Sequence, residues 1–269
     1  MTGLGAVAAL PMYDWPEVTA ATDALWAAIR DRLRAEGVAA PEALARDRGL
    51  VAGWTDPGLV LGQTCGLPLV RTLAGRVAVV GALDYGLPGC PPGWYRSAVV
   101  VRADDPRAAL AGFGGATLAI NGTDSQSGWG AILHHAAPLA TDGRFFGAVR
   151  ATGAHRASVR AVAAGEADVA AIDMVSWGLA QRFVPEARRL RVLFATDPTP
   201  GLPLIAAKGT DVAPHRRAVA AAVAGLDPAT RAALGIRGFV ALGAEAWAIV
   251  GQRLAAAGAR LRDAPDAGR

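Results

Sequence analysis

The residues best equipped for chemistry stand in one stretch, Asn121-Gly-Thr-Asp-Ser-Gln-Ser-Gly128. It follows a short apolar run, Ala116 to Ile120, and precedes a helix-like segment, Trp129 to Ala137. A strand that ends in amides, hydroxyls and glycines and then opens a helix is suited to hold an anion. The first helical N–H groups have no acceptor inside the helix, and the helix dipole adds partial positive charge there. Thr123, Ser125 and Ser127 supply side-chain donors, and Asn121, Gln126 and Gly128 stand with them as candidate ligand residues. A small oxyanion would be held without a metal. Serine is also a preferred N-cap residue, so a cap with no ligand is the plainer reading of this motif alone.

Other polar residues recur at strand ends and helix starts. Tyr13 and Asp14 follow the first apolar run, and Gln63, Thr64 and Cys65 follow another. Tyr95 and Ser97 precede a β-branched run. His155 and Ser158 open a helical segment, and Asp173 and Trp177 follow the next strand, with Thr196, Thr199 and Pro203 further on. Together they point to one convergent pocket. His155 can donate to an oxyanion and gains strength when protonated. Asp173 ends an apolar strand, where a carboxylate needs a partner; it could accept from His155 or bind a ligand amine. A second chemistry is open: Cys65 as nucleophile, His155 as base and Asp173 as orienter would form an enzyme's trio. Tyr13 and Trp177 are equally at home in a core. The adjacent pair His134-His135 does not share a helical face, so no metal site is expected there, and no cofactor is expected.

Composition narrows the partners. The chain has 269 residues, 52% hydrophobic and 19% charged, with a net charge of +4. That is a globular chain long enough for two lobes or one large domain. Arginines are scattered, lysine is almost absent, and no basic run alternates with aromatics, which argues against nucleic acid and for a small anionic ligand. Two cysteines are too few for a disulfide framework or a zinc cluster. No apolar stretch approaches a membrane span. The N-terminal segment lacks the basic region of an export signal. The expected location is the cytoplasm for the sequence as it stands, or the periplasm if a signal has been removed.

The elements that must position these residues alternate in α/β fashion. Strands are expected at Leu4–Leu10, Leu59–Leu61, Val77–Val80, Ser97–Val101, Ala116–Ile120, Ala148–Ala151, Val169–Ile172, Arg191–Phe194 and Leu204–Ala207. Helices are expected from Pro16 to about Glu36, after Pro106, over Trp129–Ala137, Arg156–Ala164 and Met174–Phe183, and through the Ala-rich stretch after Ala213. The extended stretches near Arg96–Arg102 and Leu193–Leu204 are candidate crossings between two lobes. They give an outer lobe of residues 1–96 and 203–269 and a middle lobe of residues 97–202.

With these residues in place, the chain resembles the phosphate/phosphonate-type substrate-binding proteins of ABC transporters, which have the type II periplasmic-binding-protein fold. The resemblance runs from Leu10-Pro-Met-Tyr-Asp14 to about Ile205. It is carried by Gln63-Thr-Cys-Gly66, Tyr95-Arg-Ser97, Asn121 with Ser125-Gln-Ser-Gly128, Gly153-Ala-His155, Ser158 with Val162-Ala-Ala-Gly165, Ala167 to Asp173, and Pro200-Gly-Leu-Pro203. It implies two α/β lobes joined by two crossing strands around a ligand cleft. It also implies a bound phosphate, phosphonate or related organic anion, and a transporter permease as partner. Tyr13, Tyr95, Ser125, Ser127, His155 and Asp173 would line that cleft. Enzymes on the same fold, such as pyrimidine-transferring thiaminases, keep the Cys65 alternative open.

Overall fold

The computed structural model describes residues 5–262. The chain divides into two compact units. Unit 1 holds the chain up to Trp94 together with Pro200–Trp247; unit 2 holds Tyr95–Thr199 and the chain from Ala248 onward.

The sheet of unit 1 has the order Val7–Ala9, Leu59–Gln63, Pro203–Ala207, Val77–Asp84, Gly238–Val240. The first two strands are parallel, and the remaining neighbours are antiparallel. Its covering helix, Thr19–Ala35, is amphipathic: Thr22, Leu25, Trp26, Ile29 and Leu33 are buried at helical spacing. They pack with Leu61, Val80, Leu204 and Val219 into one core. Trp15–Val18 form turns before this helix, so Pro16 precedes it instead of sitting in its first turn. Gly37 takes φ +80° just past its end, a conformation glycine adopts without a Cβ penalty. Leu4 lies outside the described residues, and the strand expected there runs Val7–Ala9.

The sheet of unit 2 has the order Ala148–Ala151, Thr117–Ile120, Val169–Asp173, Ser97–Arg102, Leu190–Ala195. The first three are mutually parallel, while Ser97–Arg102 runs antiparallel to both its neighbours. Val99, Val101, Leu118, Ile120 and Val169 form the core with Phe113, Trp129 and Ile132.

Several elements depart from the sequence reading. Ser97–Arg102 is an inner strand of unit 2 and not a crossing; the chain passes between units at Trp94/Tyr95 and Thr199/Pro200. It passes a third time at Trp247/Ala248, and the final helix Ala248–Gly258 belongs to unit 2. Leu254, Ala257 and Leu261 pack into that unit's core, which explains the assignment. The segment after Pro106 forms its helical turn later, at Leu110–Phe113. Strand Gly238–Val240 was hidden in an Ala-rich region because three residues are too few to show a period of two. No helix among the described residues is long and apolar enough to cross a membrane.

The C-terminal helix gives a direct check. Ala257 is buried whereas Ala256 is exposed. Ala257→Asp puts an unpaired carboxylate into the unit 2 core and is expected to cost about 3 kcal/mol or more, with Ala256→Asp within about 0.5 kcal/mol of the parent. Urea denaturation of the two variants reads the difference; equal midpoints would detach this helix from the core.

Candidate functional site

Three parallel strands of unit 2 end on one edge of its sheet. Ile120 leads into Asn121–Ser125, Ala151 leads into Thr152–Ala154, and Asp173 closes the third strand. Ser97 starts the antiparallel neighbour and lies opposite Asp173 in register, so it stands on the same edge. Helices begin immediately after each of the three loops, at Gln126, His155 and Met174. Their N-terminal ends bring unsatisfied N–H groups and positive partial charge to this edge.

The first of these helices opens with a wide turn. Gln126–Gly130 carries i to i+5 bonding, with the Gly130 amide reaching the Ser125 carbonyl at 3.0 Å, before regular α-helix resumes at Ala131–Ala136. The helix therefore starts earlier than the expected Trp129. Ser125 is its N-cap, accepting from the Gly128 amide at 3.0 Å. The cap reading of Ser125 is thus the observed one, and its hydroxyl also reaches the Ser127 hydroxyl, where either can donate. A Cβ at 128 would lie 1.9 Å from Asn121 Oδ1 and 3.3 Å from His155 Cε1, so any other residue there must displace the Asn121 side chain. Asn121 Oδ1 is buried with no hydrogen-bond partner among the described residues. It occupies the place that a Cβ at position 128 would take.

Ser127 and His155 form the centre of the site. The Ser127 hydroxyl lies 2.8 Å from His155 Nε2 and 3.4 Å from the Ser125 hydroxyl. His155 Nδ1 is buried and has no hydrogen-bond partner among the described residues. Burial alone pushes the His155 imidazole down to about 4, so the ring is neutral at neutral pH. Ser97 holds the turn from behind: its hydroxyl donates to the Ser127 carbonyl at 2.9 Å, and its amide donates to Thr196 Oγ1 at 2.9 Å.

The other expected residues divide by role. Ser158 is buried and lies 2.7 Å from Thr152 Oγ1. Thr152 Oγ1 also lies 3.0 and 3.1 Å from the carbonyls of Ile120 and Ala154, and in its bond with Ser158 either hydroxyl can donate. Ser158 and Thr152 together fix the loop before His155. Thr152 is the residue that sequence reasoning passed over; a hydroxyl directly after a strand was its signal. Asp173 is buried and caps the helix Met174–Phe183, accepting from the amides of Val175 and Ser176 at 2.8 and 3.1 Å. It is not bonded to His155, whose ring nitrogens meet only Ser127 among the described residues. Gln126 and Trp177 are buried within their helices, and Tyr95 is buried where the chain enters unit 2.

Tyr13 and Cys65 belong to unit 1. Tyr13 is buried against Tyr85, ring edge to face at 5.4 Å. Cys65 precedes the six-residue helix Gly66–Arg71, and it and Cys90 are thiols, not a disulfide. The nucleophile–base–orienter trio fails at its second link, since Asp173 does not orient His155. Unit 1 also holds a cavity of about 280 Å³ beside Leu10, Asp14, Arg46 and Trp54. Its Arg46 is already paired with Asp14 and Asp23 at 2.6 and 2.8 Å.

A family model described as "ABC transporter, phosphonate, periplasmic substrate-binding protein" matches residues 67–247. The chain belongs to this phosphonate-binding family. Solved structures share the substrate-binding protein fold. PhnD1 from Prochlorococcus marinus, in complex with methylphosphonate, superposes with a TM-score of 0.71 at 15% identity, covering 92% of this chain and 95% of PhnD1. A binding-protein component of an ABC phosphonate transporter from Pseudomonas aeruginosa gives 0.67 at 17%, covering 93% and 85%. A Xanthomonas citri protein bound to ATP gives 0.64 at 19%, covering 98% and 99%. No curated protein sequence matches the chain. The family is one of transport rather than catalysis, and the Cys65 chemistry finds no support in it.

Two measurements test this geometry. Gly128→Ala drives a methyl group into Asn121 and is expected to cost about 1–3 kcal/mol of stability; an unchanged denaturation midpoint would contradict the contact. His155 has a folded pKa of about 4, below its ordinary 6.5. Its contribution is therefore intact above pH 6.5 and is lost as pH falls from there towards 4, by at most about 3 kcal/mol. Denaturation of the parent and of His155→Gln between pH 7 and pH 4 should show a shallower decline in the variant.

Proposed function

We propose that this protein is the substrate-binding component of an ABC transport system and holds a phosphonate, phosphate or related small organic oxyanion at the carboxyl edge of the unit 2 sheet. The observation that carries this reading is the Ser127–His155 pair, 2.8 Å apart at the start of two helices. Around it, Asn121 offers an amide, and the Ser125 cap adds a hydroxyl. Donors of this kind stabilise an oxyanion through dipoles held at fixed positions by the helix starts. Family membership supports the same ligand class, as does the methylphosphonate named with PhnD1. The partner is a permease of the same transport system, and the working compartment is the periplasm. Tyr95 and Trp177 are assigned to the ligand's surroundings, with Gln126 and Gly128 shaping the turn and Ser97, Ser158 and Asp173 supporting it from behind.

Calorimetric titration with methylphosphonate tests the assignment. Ser127→Ala and His155→Gln should each weaken binding about 10- to 100-fold, the loss of one strong hydrogen bond of about 1.5–3 kcal/mol. Parent-like affinity in both variants would remove the site.

A further inference from the structure

The hydrogen atoms of the Ser127–His155 pair can be counted. Ser127 carries one hydroxyl proton, and a neutral imidazole carries one N–H. The bond between them consumes one of the two, leaving a single donor. If Ser127 donates to Nε2, the spare donor is Nδ1–H; if Nε2–H donates to Ser127, the spare donor is the hydroxyl. An imidazolium changes this count. Nε2–H then donates to Ser127 Oγ, the Ser127 hydroxyl is released towards the ligand, and Nδ1–H, otherwise unpartnered among the described residues, becomes a second donor.

Charge points the same way. Among the described residues, no arginine or lysine is hydrogen-bonded to Asn121, Ser125, Ser127 or His155. The elements around His155 do carry titratable groups. Arg156 and Arg160 stand on its own helix, with Arg160 facing Glu186. Asp173 ends the strand beside it, and Asp168 precedes that strand, tied to Arg107. Arg102 lies at the far end of Ser97–Arg102, Arg182 at the end of the next helix, Arg188 and Arg189 on the following turn, and Asp124 on the exposed loop. None is bonded to the imidazole, and burial is the sole cause of its lowered proton affinity. An anion set against the ring would reverse that effect.

We infer that oxyanion binding loads a proton onto His155, so that ligand capture is coupled to proton uptake and Ser127 turns its hydroxyl to the ligand as this happens. The inference rests on the ligand reading above. Uptake of one proton makes the apparent Kd rise about tenfold per pH unit, wherever His155 is neutral in the unliganded protein and charged in the complex.

The test is titration calorimetry with methylphosphonate from pH 6 to 8, in pairs of buffers of different ionisation enthalpy. His155→Gln and the ring nitrogen NMR signals of the parent complete it. The expected result is uptake close to one proton per ligand, uptake lost in His155→Gln, and imidazolium signals in the parent complex. Binding without proton uptake overturns the inference and leaves the ligand reading standing. Uptake that persists in His155→Gln places the proton on the ligand itself and also overturns it. Should the variant fail to fold, a neutral imidazole in the liganded parent overturns it by NMR alone. No binding of methylphosphonate by folded parent protein brings down the ligand reading, and this inference with it.

Discussion

Parallel strands set the constraint from which the rest of unit 2 follows. Once Thr117–Ile120, Ala148–Ala151 and Val169–Asp173 run in the same direction, their carboxyl ends share an edge. The helices that return the chain must start there too. Each start exposes amides that no helical carbonyl can reach. The sequence meets this need locally: Ser125 caps one helix and Asp173 another. What the caps leave over is a neutral, donor-rich surface centred on Ser127 and His155.

The way these groups are held matters as much as their identity. Ser97 fixes the Ser127 carbonyl, Ser158 and Thr152 fix the loop before His155, and Gly128 admits the Asn121 side chain against the backbone. Polar groups with several simultaneous partners have little freedom to rotate away, so the oxygen and nitrogen atoms of the site are held in place before any ligand arrives. The cost is a buried imidazole held neutral by its surroundings.

Much of this was legible in the sequence because the signals are local. The switch from an apolar run to Asn121–Gly128 and then to a helical pattern marks a strand end and a helix start within a few residues. Asp173 was readable as a strand-end carboxylate, but its partner was misjudged. Amides two and three residues further on satisfy an aspartate more readily than a distant imidazole does. The Ser127–His155 bond joins residues 28 apart, and it exists because two particular strands are neighbours, which no local pattern states. The third passage at Trp247 was hidden for a related reason. An Ala-rich amphipathic helix declares that it packs but not on which unit, and only the contacts of Leu254, Ala257 and Leu261 decide it.

The wide turn at Gln126–Gly130 carries a consequence for how this family member can diverge. This turn holds one residue more than ordinary α-helical winding would place there. Deleting any single residue there would restore ordinary winding and rotate the upstream residues by about 100° about the helix axis. Ser127 would then leave the face it shares with His155, however well the composition of the loop were kept. Exchanges of side chain can retune this edge of the sheet, whereas a change of length from Asn121 to Ala131 dismantles it.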